Sequence, residues 1–152
     1  MARVKINLEV DERLTDTEIT IRTPDVNEQI NRLMKEITEQ FKEQPKIAFY
    51  QEGIRYFIDL ENILFFETVD RKVCAHTADS TYSVSLKLYE LEESLPLTFI
   101  RSSKSTIVNL EQIFSVDHSL RRNLVRFRNS HKQLYVSRAY YQEFKRQLDE
   151  RS

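Results

Sequence analysis

Apolar and polar residues alternate along RVKINLEV, residues 3–10, so that Val4, Ile6, Leu8 and Val10 fall on one side. Patterning at period two predicts a half-buried strand. EITIRT, residues 18–23, repeats the pattern briefly with Ile19 and Ile21 inward. Thr23 and Pro24 then read as a helix N-cap followed by proline at the first helical position. Beyond them the period changes, and Val26, Ile30, Leu33, Met34, Ile37 and Phe41 recur at helical spacing. Residues 1–45 therefore predict a small strand–strand–helix (β-β-α) unit. Gln44 and Pro45 close it, because a residue before proline is pushed out of helical geometry.

From Lys46 the texture is one of short strands joined by tight turns. KIAFYQ, GIRYFID, NILFFETV, KVCAHT and TYSVS come first, with Glu52 and Gly53 at the first turn. Ser85 can cap a short helix that turns Leu88, Leu91 and Leu95 to one side and stops near Pro96. TFIR, STIV, IFSVD, NLVRFR and QLYVS follow as strands, and Ser137 caps a last helix, 138–149, with Tyr141, Phe144 and Leu148 inward. Residues 46–152 thus predict a mainly β domain with flanking helices.

Composition removes several function classes. Gly53 is the only glycine, so no glycine-rich phosphate cradle exists. Cys74 is the only cysteine, which excludes an intrachain disulfide and a cysteine-rich zinc site, and mid-strand it reads as inert. His76, His118 and His131 show no metal-ligand spacing. The serine-rich RSSKS lacks an oxyanion-hole glycine signature, so the reading is no enzyme, no cofactor and no small-molecule substrate. No apolar run has membrane-spanning length and MARVKINLEV has no signal-peptide core, so a cytoplasmic protein is expected. Asn109 begins NLEQ, a helix-start pattern in which Gln112 reaches back, and reads as a cap. The strand aromatics Phe49, Tyr50, Tyr56, Phe57, Phe65 and Phe66 read as core.

Charge changes the picture more. The chain's net charge is −1, yet residues 97–138 hold eight cations against two anions, and residues 1–43 hold seven against ten. A nearly neutral whole hides an acidic start and a basic second half, the local asymmetry a polyanion requires. Within it, FIRSSKSTIVNL sets Arg101 and Lys104 among Ser102, Ser103, Ser105 and Thr106. Hydroxyls and backbone amides of this kind can hold phosphate oxygens while a lysine reaches a base edge. Alternation in RNLVRFR sets Arg122, Leu124, Arg126 and Arg128 on one face, opposite Val125 and Phe127. Arg138 stands in the first turn of a helix, where a cation costs about 0.3–1 kcal/mol against the helix dipole. An anion docked there would remove the conflict.

The ordered pieces YFIDLENILFFE, KVCAHT, LYELEESL, FIRSSKSTIVNLEQI and LYVSRAYYQEFK make residues 46–151 resemble the LytTR family of bacterial DNA-binding domains. The resemblance rests on Phe99, Arg101, Lys104, Ser105, Ile107, Val108 and Asn109, and on Val136, Ser137 and Arg138 before the last helix. It implies an elongated multi-stranded β fold that reads double-stranded DNA in the major groove with loops, at direct repeats, with bending and two copies per site. Base reading would then fall to Arg71 or Lys72, to Lys104 and to Arg138. Phosphates would be held by Arg101, Ser103, Ser105, Arg121, Arg122 and Ser137.

Departures from the family pattern are Ile100 after Phe99, and Ser102 with Ser103. The upstream unit is too short for a phosphoacceptor receiver. It is expected to mediate homodimerisation or regulation, and the resemblance implies restraint by a small membrane regulatory protein. The rival readings are an interaction module with little DNA affinity, which sequesters or is sequestered by a partner, and a nonspecific nucleic-acid binder.

Overall fold

The computed structural model describes residues 3–42, 45–119 and 122–151. The chain divides into two compact units, Met1–Ile37 and Thr38–Ser152.

The first unit differs from the expectation. Residues 3–10 and 18–23 form no strand. A strand exists only by hydrogen bonding to another, and neither run pairs with one among the described residues. The helix α1 does form, over Glu28–Phe41. It starts at Asn27, whose Oδ1 accepts from the Ile30 amide at 3.0 Å, and not at Thr23 and Pro24. Thr23 Oγ1 instead donates to the Asp25 carbonyl at 2.9 Å, which turns the chain before the helix.

In the second unit all ten expected strands form. A seven-stranded antiparallel sheet runs in the order β2-β1-β5-β4-β3-β7-β6. Its strands are β1 (Phe49–Gln51), β2 (Ile54–Tyr56), β3 (Phe65–Val69), β4 (Lys72–His76), β5 (Thr81–Val84), β6 (Phe99–Ser103) and β7 (Thr106–Asn109). A second antiparallel sheet of three strands runs β10-β9-β8, from β8 (Ile113–Asp117), β9 (Asn123–Phe127) and β10 (Gln133–Val136). Two helices complete the unit, α2 (Leu88–Ser94) and α3 (Arg138–Arg151). The domain is therefore mainly β with flanking helices.

Two cores explain the layering. On one face of the large sheet Phe49, Phe66, Val73, Ala75, Val84 and Ile107 pack with Leu88, Leu91 and Leu95 from α2 and its end. On the other, Phe65 and Val108 meet Val125, Phe127 and Val136 of the small sheet, with Phe144 of α3. The interior strand β7, next to the edge, is buried along its whole length, and β3 buries Phe65 to one face and Phe66 to the other. Such strands read as continuous apolar runs. Helix α2 begins at Leu88, not directly after Ser85, because the Glu90 carboxylate accepts from the Lys87 amide at 3.1 Å. Asn109 caps a 3-10 turn by accepting from the Glu111 amide, and its Nδ2 donates to the Ile63 carbonyl at 2.9 Å. Gln112 does not reach back; its Nε2 donates to the Glu61 carbonyl.

His76 ties the sheets together. Its Nε2 lies 2.7 Å from Glu67 Oε1. Its ring stacks on Phe65 at 4.3 Å. Lys132, from the β9–β10 turn, brings Nζ to 3.2 Å from His76 Nδ1 and also donates to the Ser80 carbonyl. Burial lowers the His76 pKa, Lys132 adds to this, and the Glu67 hydrogen bond opposes it. A base depressed in the native state binds fewer protons there than when unfolded. Its stabilising contribution is complete above about pH 6.5, the unfolded value, and is lost as pH falls through the native pKa. Urea unfolding at pH 7.5 and 5.5 should show lower stability at the acid end, with a shallower dependence in His76→Gln.

Candidate nucleic-acid interface

Strands β3 and β4 are joined by the two residues Asp70 and Arg71, with Val69 opposite Lys72. Both turn residues have positive φ, 51° and 67°. This is the signature of a type I′ hairpin turn, which has left-handed backbone at both positions and usually places Asn-Gly there. An arginine held there is strained, by roughly 1–3 kcal/mol. Arg71 and Lys72 are both exposed.

The β6–β7 turn lies beside it, since the Thr68 amide donates to the Ser105 carbonyl at 2.8 Å. Lys104 and Ser105 form the turn and are exposed. Ser103 Oγ accepts from the Ser105 amide at 3.2 Å and lies 3.4 Å from Ser105 Oγ, so the serines brace the turn from within. Arg101 is committed elsewhere. Its Nε donates to Glu92 Oε2 at 2.7 Å, and NH1 donates to the Lys104 carbonyl. Its side chain is only 17% exposed. The arginine holds the turn in shape from below.

A β-bulge between Arg101 and Ser103 turns Ser102 inward, fully buried. Its carbonyl accepts from the Ser137 amide at 2.9 Å, which seats the start of α3 against β6. Ser137 does not cap through its hydroxyl as expected. The Tyr140 amide donates to the Ser137 carbonyl at 3.2 Å, and the buried Oγ atoms of Ser137 and Ser102 have no hydrogen-bond partner among the described residues. Arg138 is exposed in a first helical turn that contains no acid. Arg122, Asn123, Tyr135, Val136, Ser137 and Arg138 line an open cleft of about 500 Å³. The Arg122 guanidinium stands over the Tyr135 ring, 5.6 Å from its centre.

One end of the large sheet thus gathers the β3–β4 turn, the β6–β7 turn and the β10–α3 junction. Of the expected residues, Arg71, Lys72, Lys104, Ser103, Ser105, Ser137, Arg138 and Arg122 lie along it. Arg101 lies behind it, and Arg121 lies outside the described residues. The expected arginine face of β9 is interrupted. Leu124 is buried, Arg126 is the one exposed strand residue, and Arg128 follows the strand in a turn. Sequence reasoning missed Asn123 and Tyr135, which shape the cleft. The alternation of QLYV marks Tyr135 as outward, but nothing local marks Asn123, which pairs with Val136 across the sheet.

The family model of the LytTr DNA-binding domain matches residues 54–149. The chain belongs to the LytTR family. Two relatives are described as uncharacterized HTH-type transcriptional regulators. One, from Staphylococcus aureus strain MSSA476, is 28% identical over 148 residues, 95% of this chain and 98% of its own. The other, from strain MRSA252, is 30% identical over 106 residues, 70% and 71% of the two chains. A solved LytTr DNA-binding domain from Bacillus cereus superposes with a TM-score of 0.63 at 22% identity, covering 68% of this chain and 97% of that one. This LytTR chain carries no helix–turn–helix among its described residues, because five strands separate each helix from the next.

Proposed function

We propose that this LytTR protein is a sequence-specific transcriptional regulator that reads direct-repeat sites in double-stranded DNA, in the cytoplasm, with two copies per site. Loops rather than a helix do the reading. Arg71 or Lys72, Lys104 and Arg138 meet base edges in the major groove, while Ser103, Ser105, Arg122 and Arg121 hold phosphates. Ser137, expected among the latter, instead seats the start of α3, its amide bonded to the Ser102 carbonyl and its hydroxyl buried. The observation that carries this reading is the juxtaposition of cationic turns through the Thr68–Ser105 and Ser102–Ser137 main-chain bonds. A phosphate at the start of α3 meets the positive end of the helix dipole in a first turn that holds no acidic residue.

Arg101 takes the role of a positioning residue, since its guanidinium is satisfied within the protein. Strain at Arg71 is consistent with a side chain kept for its reach. Arg71→Gly should leave stability within about 1 kcal/mol of wild type, because relief of strain offsets glycine's added unfolded-state freedom. The same variant should weaken DNA binding, read by fluorescence anisotropy on a duplex site; an unchanged affinity would remove Arg71 from the residues that touch DNA.

The test of the whole reading is selection from random duplex DNA with the full chain at near-physiological salt, followed by sequencing. A spaced direct repeat is expected. Recovery of no motif by folded protein would overturn the reading in favour of a module that acts through a protein or membrane partner.

A further inference from the structure

Residues 3–10 carry the pattern of a strand that lacks its neighbour. Val4, Ile6, Leu8 and Val10 are 82%, 92%, 89% and 85% exposed. Four apolar side chains on one side of an unpaired run form a template for strand addition. α1 offers no core to receive them, since none of its residues is buried.

Charge identifies the partner. The polar side of the run is Arg3, Lys5, Asn7 and Glu9, cationic at its start and anionic at its end. Parallel pairing with a second copy would set Arg3 against Arg3 and Glu9 against Glu9, and like charges directly opposite are unfavourable. Antiparallel pairing about a twofold axis reverses this. Centred on Ile6, it sets Val4 against Leu8 and Arg3 against Glu9, each twice. Centred on Asn7, it sets Ile6 against Leu8, Val4 against Val10 and Lys5 against Glu9, each twice. A register between these would put apolar positions opposite polar ones, which the pleat forbids. Both allowed registers gather the apolar side chains of the two copies on one face and opposite charges on the other.

We propose that residues 3–10 pair antiparallel with the same residues of a second copy, so that the protein dimerises through an intermolecular β-ribbon. The interface is isologous, with one patch complementing itself. A two-stranded ribbon alone is marginal in water. The apolar stripe of α1, with Ile30, Leu33 and Ile37 at helical spacing, is present twice in the dimer and supplies the cover. The inference stands apart from how DNA is read, and its test needs no DNA.

Sedimentation equilibrium of the full chain over micromolar concentrations should give a reversible dimer. Ile6→Asp should weaken it at least about tenfold, with an unchanged circular dichroism spectrum, because both cores lie in the other unit. Glu9→Arg should weaken it by about tenfold, and adding Arg3→Glu and Lys5→Glu to that variant should restore it. With Cys74→Ser as background, either Ile6→Cys or Asn7→Cys should form a homotypic disulfide, whichever lies on the twofold. A monomer at all concentrations, a dimer indifferent to Ile6→Asp, or charge reversals that fail to rescue Glu9→Arg would overturn the proposal.

Discussion

A double variant, Lys104→Ala with Arg138→Ala, is expected to relax sequence preference strongly while leaving the fold intact. Both side chains are exposed and neither makes a hydrogen bond or ion pair among the described residues, so truncating them removes nothing from either core. A bidentate base contact carries about 1–3 kcal/mol of discrimination. The two residues stand on separate elements, the β6–β7 turn and the first turn of α3, so the costs should add to about 2–6 kcal/mol. The remaining arginines and serines would still hold phosphates. The variant should therefore approach the affinity of wild type for random DNA, with its salt slope reduced by about one for each phosphate that a truncated side chain no longer neutralises. Titration of the selected duplex and a scrambled one at two salt concentrations separates these effects. Wild-type preference in the double variant would place the reading residues elsewhere.

The second large effect is expected at Phe144. This ring is fully buried in the core shared by the two sheets and is the one buried residue of α3. Phe144→Ala should cost about 3–5 kcal/mol, from reduced burial and the cavity left behind. Urea denaturation monitored by circular dichroism measures it. The consequence for function is separable. α3 begins at Arg138, so loosening its seat against β6 should weaken DNA binding even under conditions where the protein remains folded. Phe144→Leu, which keeps most of the volume, should recover both properties in large part. A Phe144→Ala protein of native stability would contradict the packing described for α3.

Much of the second unit is legible in the sequence because its signals are local and agree with one another. NILFFETV and STIV are continuous apolar runs, as interior strands buried on two faces must be. Leu88, Leu91 and Leu95 mark α2 by spacing, and Pro96 stops it by forcing Leu95 into an extended conformation, with ψ 151°. The start of α2 is less legible, since Ser85 is a strong capping type and the cap rests instead on Glu90 reaching back. The first unit misleads for a different reason. RVKINLEV has a strand's alternation, but alternation describes which side would be buried and not whether a partner exists within the chain.

The candidate site divides the same way. Lys104, Ser105 and Arg138 can be found because a turn and a helix start are short-range features. The role of Arg101 cannot, because it depends on Glu92, nine residues earlier, meeting it across the packing of α2 on β6. The inward turn of Ser102 depends on a bulge, which one extra residue in a ladder creates and no residue type announces. Strict alternation predicts an arginine face on β9, yet Leu124 is buried and Arg126 two residues on is exposed, because what covers each position comes from other elements and period two does not encode it.

The central claim is that this LytTR chain reads sequence and does not merely attract phosphate. Competition binding at near-physiological salt tests it, with the selected duplex set against a scrambled duplex of equal length and composition. A ratio of about 10³ or more is expected, as for site-specific regulators. Equal affinity for the two duplexes would contradict the account and leave the basic second half as a nonspecific electrostatic surface.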